Sequence, residues 1–294
     1  MAASEWFLLG APWDCSGSDR GEAGAPAALR AADLRDRVGA DLGDAATRIA
    51  DRRRDEETGV LALADTIAAA QALAGSLDAG MREHTGLRPL VVGGDCSLLL
   101  GVFAHLRRAF GTVGLWMADG HPDCLDPHAS ETGETADLDL ALLTGSGPAA
   151  LTGLAGAAPM VDPRHVALIG HRTAGLDDAA AAELARVPAA VLTIDAPAVI
   201  ADPHDAGDTA AAWASRAGVP MWLHLDVDVL DPSSMPAVTY PQPGGPDFDQ
   251  LAAVLTPLAA APSLLGISVA DFRPDLDPGG HLAARLVALL DQLL

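Results

Sequence analysis

Short apolar runs alternate along the chain with longer segments of helical periodicity. The runs at 6–9, 37–41, 89–92, 113–117, 165–169, 190–194, 221–226 and 264–269 have the length and Val, Leu and Ile content of strands. The segments 58–79, 98–110, 177–186, 208–217, 248–260 and 280–293 are Ala-rich and amphipathic, and predict helices. Alternation of this kind builds βαβ units. The expected fold is therefore α/β, a three-layer arrangement in which a mostly parallel sheet of about eight strands carries helices on both faces. No low-complexity linker and no repeat divides the sequence, so residues 1–294 are expected to form one domain.

Polar residues interrupt this pattern where a parallel sheet binds ligands, just beyond the carboxyl ends of its strands. In Trp222-Leu223-His224-Leu225-Asp226-Val227-Asp228-Val229-Leu230-Asp231-Pro232, Asp226 and Asp228 stand at alternate positions and so face one side of a strand. Burying each carboxylate unpaired costs on the order of several kcal/mol, which a cation held between them offsets. Two other runs end alike, in Gly93-Gly94-Asp95-Cys96-Ser97 and in Asp119-Gly120-His121-Pro122-Asp123. Three strand ends thus deliver enough carboxylate, imidazole and thiol for two divalent ions sharing bridging carboxylates.

Each feature has a plainer alternative. Asp226 and Asp228 could cap a helix or meet Arg, and 119–123 could be a polar loop. Cys96 taken alone is a small buried hydrophobe. Gly93-Gly94 reads as a tight turn, since no basic residue follows it. The metal reading is preferred because the three motifs occur together.

Composition removes several classes. The formal net charge is −22 and the 18 basic residues are all Arg, so nucleic acid and anionic membrane surfaces are not expected partners. Residues 1–5 have no secretory pattern and no apolar run is long enough to span a membrane, which predicts a cytoplasmic protein. Cys15, Cys96 and Cys124 are too few for a disulfide framework, and Cys15 and Cys124 read as packing residues. Arg52-Arg53-Arg54 reads as a solvated turn. Among the histidines, His224 enters the key strand and could support the site from behind, and His171 could line its mouth.

The three motifs resemble those of the ureohydrolase family of arginase and agmatinase, which read G-G-D-H-S, D-A-H-x-D and S-x-D-x-D-x-x-D-P. The likeness extends to Ala25-Pro26-Ala27-Ala28-Leu29-Arg30, similar to an early G-P-x-x-L-R, and to Asp271-Phe272-Arg273-Pro274, in the place of E-x-N-P. The resemblance implies an arginase-like fold and a centre of two divalent ions, with manganese as the metal. Asp119 and Asp226 would bridge them. Cys96 and Asp123 would complete one side, site A, while His121 and Asp228 would complete site B. It also implies hydrolysis of a guanidino C–N bond by a metal-bridging hydroxide, with Asp123 hydrogen-bonded to that nucleophile and Asp271 facing the guanidinium. A homo-oligomer, trimer or hexamer, is implied as well.

The departures from the family pattern carry information of their own. Cys96 stands where relatives have His, and thiolate favours ions softer than Mn²⁺, so site A is expected to be weak in manganese, empty, or filled by another metal. A subset of relatives that includes N-hydroxyarginine amidinohydrolases resembles this chain in having Cys there. Leu125, Thr132 and Glu134 stand where arginase holds its substrate's carboxylate, and Ala136 where it has a proton-transferring His. An anion would be repelled by Glu134, so a neutral or cationic tail is expected and simple arginase activity is not. His128, on the same loop, is the candidate substitute shuttle. Arg273, if turned inward, would favour a neutral N-hydroxyguanidine, amidine or amide.

Two classes follow. The favoured one is a binuclear metallohydrolase acting on a guanidino, N-hydroxyguanidino or related small molecule and releasing urea or hydroxyurea and an amine. The alternative is a non-catalytic relative, a metal-binding relic or partner subunit, with an altered site A.

Overall fold

The computed structural model describes residues 5–294. Its strands are β1 (Trp6–Ala11), β2 (Ala40–Asp44), β3 (Arg88–Gly93), β4 (Gly114–Ala118), β5 (Val166–Ile169), β6 (Leu192–Ile194), β7 (Met221–Asp226) and β8 (Leu264–Ala270). They form one sheet in the order β2-β1-β3-β8-β7-β4-β5-β6, with every pairing parallel. The expected fold class is the observed one.

Helices cover both faces: α1 (Ala25–Ala31), α2 (Leu63–Glu83), α3 (Leu98–Phe110), α4 (Asp139–Leu143), α5 (Ala149–Thr152), α6 (Asp178–Leu184), α7 (Ala196–Ala201), α8 (Pro203–Ala217), α9 (Phe248–Ala259) and α10 (His281–Leu290). Strand periodicity divides the core between the faces. In β1, Trp6 and Leu8 join a cluster with α8, α9 and α10, while Phe7 and Leu9 join one with α2 and α3. Both faces being dry explains why the inner strands read as continuous apolar runs.

Several boundaries differ from expectation. The second strand begins at Ala40, because Leu34–Arg37 is a 3₁₀ turn whose Arg37 reaches Asp291 at 3.0 Å. This edge strand is half-exposed and lacks the apolar signal of its neighbours. Helix α2 starts at Leu63, after Gly59 and Ala62 in left-handed conformations. Helix α8 starts at Pro203, where Asp202 caps it by accepting from Asp205 N; proline suits a first turn, whose N–H has no intrahelical partner.

Crossovers from β3 to β4 and from β6 to β7 bring β3, β8, β7 and β4 side by side at the sheet's centre. Their carboxyl ends therefore open onto one place. Ala118 pairs with Leu225 and Asp226 with Ala270, which sets Asp119, Asp226 and Asp271 at neighbouring exits.

Candidate metal centre

At the end of β3 the chain passes against the backbone after β1. A Cβ on Gly94 would sit 1.5 Å from the Trp13 carbonyl oxygen, so only glycine fits. Asp95 does not face the cluster. Its carboxylate accepts from Cys15 N at 2.5 Å and Ser97 N at 3.0 Å, holding the turn that aims Cys96. Cys96 is buried, with Sγ 2.9 Å from Asp226 Oδ2 and 3.1 Å from His224 Nε2.

The β4 exit places Asp119, His121 and Asp123. Asp119 Oδ1 accepts from His121 N at 2.7 Å, and its buried Oδ2 has no protein hydrogen-bond partner. Asp123 has φ +46° and Asp271 φ +67°, left-handed conformations that cost a non-glycine residue on the order of 1 kcal/mol and that aspartate tolerates better than most. At the β7 exit, Asp226 Oδ1 accepts from Asp228 N at 2.6 Å, folding Val227–Val229 into a 3₁₀ turn. Asp228 then meets His121, Oδ2 to Nδ1, at 2.8 Å and accepts from Gly120 N at 3.1 Å.

Three groups of donor atoms result, each with its members within 4.8 Å of one another: Asp119, His121 and Asp228; Cys96, Asp119 and Asp226; and Cys96, Asp123 and Asp139. Burial, and then neighbouring carboxylates, hold Asp119, Asp123 and Asp226 well above the usual carboxylate range. Burial pulls His121 down, but the Asp228 carboxylate wins and holds it up at about 9. Asp271 is pushed up to about 6 by burial, and its Oδ2 also lacks a protein partner. Buried, mutually repelling carboxylates with unpartnered oxygens, beside an imidazole and a thiol, fit a pair of divalent cations.

Two arginines outside the sequence motifs shape the centre. Arg172, after β5, is buried and donates to the carbonyl oxygens of Gly170, Asp228, Val229, Leu230 and Gln242. It holds the backbone that carries Asp228. Arg20 lines the cleft above the cluster, paired with Glu134 at 2.8 Å and donating to the Tyr240 hydroxyl at 3.2 Å.

These contacts change the reading of the loop. Glu134 does not repel anions as an isolated charge, because Arg20 neutralises it. Glu131, Asp137 and Glu183 are further acidic residues of the cleft lining, beside Leu125, Thr132 and Ala136. Thr132 is at the cleft, but its hydroxyl donates to Asp137 at 3.0 Å. His128 is not brought to the centre. It is exposed in a separate depression with Asp55, Thr58 and Asp126. Arg273 turns away onto Asp275 at 2.5 Å, so it opposes no cation in the cleft. Nothing in the motif spacing marked Arg20, Arg172 or Glu183, whose partners are distant in sequence, or Asp137, which the Ser130 and Thr132 hydroxyls hold within its own loop.

Residues 4–292 match the Arginase family. The arginase of Bacillus caldovelox is 29% identical over 294 residues, covering 97% of this chain and 96% of that protein. Its solved structure aligns with a TM-score of 0.86 at 27% identity over 98% of this chain and 97% of that one. Formimidoylglutamase of Bacillus subtilis shares the fold, with a TM-score of 0.74 at 19% identity over 100% of this chain and 87% of its own. From its first strand to its last helix, the chain belongs to the arginase family of ureohydrolases.

Proposed function

We propose that the protein is a binuclear metal-dependent hydrolase that cleaves a C–N bond of a guanidino or related amidine group on a small molecule with a cationic or neutral tail. The observation that carries this is the convergence of Cys96, Asp119, His121, Asp123, Asp226 and Asp228 below an acidic cleft. Asp119 and Asp226 would be shared between the ions, with His121 and Asp228 on one side and Cys96 and Asp123 on the other. When bound, the ions supply Lewis acidity and an activated water nucleophile.

The chain's own groups do the rest. Asp271 faces the cleft with an unpartnered oxygen able to accept from a guanidinium N–H. Asp123, which lines the same cleft, would hold a proton beside the bond to be cleaved. Glu131, Asp137 and Glu183 favour a positive tail over a carboxylate. Family membership supports the reaction class, while the acidic lining and Ala136 separate the substrate from arginine. An N-hydroxyguanidino substrate remains a second reading that rests on Cys96, since Arg273 faces outward.

Release of urea from arginine, agmatine or guanidinobutyrate, of hydroxyurea from N-hydroxyarginine, or of formamide from formiminoglutamate decides among these. Agmatine, with no carboxylate, is expected to exceed guanidinobutyrate in kcat/KM by at least about tenfold, the size of one favourable charge contact. Preferred turnover of arginine or guanidinobutyrate would refute the tail assignment. No product from any of them, with no metal bound, would favour a relic.

A further inference from the structure

Asp139 is the first residue of α4, between Leu138 and Leu140, and all three are fully buried. Neither of its carboxylate oxygens has a protein hydrogen-bond partner. One lies within 4.8 Å of both Cys96 Sγ and an Asp123 carboxylate oxygen, which lie within the same distance of each other. Leu140 N and Ala141 N donate to the Asp123 carbonyl at 3.1 and 3.4 Å, so the start of α4 is bound to the backbone that carries Asp123.

A carboxylate buried among apolar neighbours costs several kcal/mol, roughly, and neighbouring anionic donors add to that cost. A cation turns the repulsion between the donors into shared attraction and offsets the cost of burying them. Donors bound to one ion at about 2.0–2.3 Å lie no more than roughly 4.6 Å apart, a span compatible with this triplet.

We propose that Asp139 is a ligand, with Cys96 and Asp123, of the ion on the sulfur side of the centre, and that this set selects a zinc-class ion there. A thiolate with carboxylates suits Zn²⁺ or Co²⁺ better than Mn²⁺, whereas Asp119, His121 and Asp228 offer only oxygen and nitrogen and accept a harder ion. The two halves of the centre thus differ in metal preference. This assignment rests on the metallohydrolase reading above and gives one of its ions a fuller set of ligands.

The metal-free full-length chain is titrated with Co²⁺, following the near-ultraviolet sulfur-to-cobalt charge-transfer band, and with Zn²⁺ in competition with a chromophoric chelator. The wild type is expected to develop the band. Asp139→Ala and Asp139→Asn are each expected to weaken Co²⁺ and Zn²⁺ at the sulfur-side site by about tenfold to a hundredfold. Both metal-free variants should unfold at or above the wild-type temperature, because an uncompensated buried carboxylate has been removed. Unchanged affinity in both variants overturns the assignment and leaves the binuclear reading standing. Co²⁺ uptake without the band overturns it also, as does a loss of affinity matched by a lower metal-free melting temperature, which would mark a structural residue. A wild type that takes up no metal overturns both readings.

Discussion

Cys96 is held from behind by a chain of side chains. Trp222 Nε1 donates to Ser268 Oγ at 2.8 Å, which frees the Ser268 hydroxyl hydrogen for His224 Nδ1, also at 2.8 Å. His224 is then the tautomer with hydrogen on Nε2, directed at Cys96 Sγ. Burial pulls its pKa down to about 3, so it stays a neutral donor across the physiological range. Substituting Cys96→His tests the thiol. Mn²⁺ affinity should hold or rise, while the larger ring, forced into a fully packed position against His224, costs about 1–3 kcal/mol in urea unfolding of the metal-free protein. Asp226→Ala should drop urea or hydroxyurea release to background along with bound metal; full turnover would contradict a shared ligand at that position. The candidate ligand residues were legible in the sequence because each follows an apolar run. Arg20 was not, since its partners Glu134 and Tyr240 lie 114 and 220 positions away, and its pairing with Glu134 is what cancels the repulsion expected of that carboxylate.

Secondary elements position the centre more than they compose it. The turn after β7 carries Asp228, yet Arg172, just beyond β5, holds it in place through backbone carbonyls alone. Arg172→Met would strip donors from buried carbonyls at about 1–3 kcal/mol each, sharing one relaxation, so a loss of roughly 3–5 kcal/mol is expected in urea unfolding. Metal affinity should fall with it although Arg172 touches no ligand side chain, and Arg172→Lys should recover only part, because an ammonium cannot span the same carbonyls. Unaltered affinity in a folded Arg172→Met would show that the turn holds itself. Long helices and central strands were readable from periodicity, as α3 shows by keeping its expected bounds 98–110. The short elements were not: α4 is a single turn embedded in buried leucines, where Asp139 looks like an interruption of an apolar run rather than a site. His128 illustrates the converse, since nearness to Asp123 in sequence did not place it near Asp123 in space.

Across the whole molecule the centre sets how stability depends on pH. The chain carries −22 overall, and its densest buried charge lies at the sheet's central strand ends. In the metal-free protein Asp119, Asp123 and Asp226 sit well above the unfolded carboxylate value of about 4, and Asp271 at about 6. At these positions the folded state therefore holds more protons than the unfolded one, against the opposite pull of Asp228, whose burial would raise it but which His121 holds below the usual range. The stability these groups contribute is complete below about 4 and is lost as pH climbs through their folded values. His121, held at about 9, acts in the same direction at higher pH. Metal reverses the dependence, because binding displaces these protons and tightens as they become scarce. Thermal melts should show the metal-free protein losing stability from about pH 4 to pH 6 and beyond, while the Mn²⁺- or Zn²⁺-loaded protein gains, so that a chelator lowers the melting temperature more at about pH 8 than at about pH 5. Equal chelator effects at the two pH values would mean that the buried carboxylates are not what the ions bind.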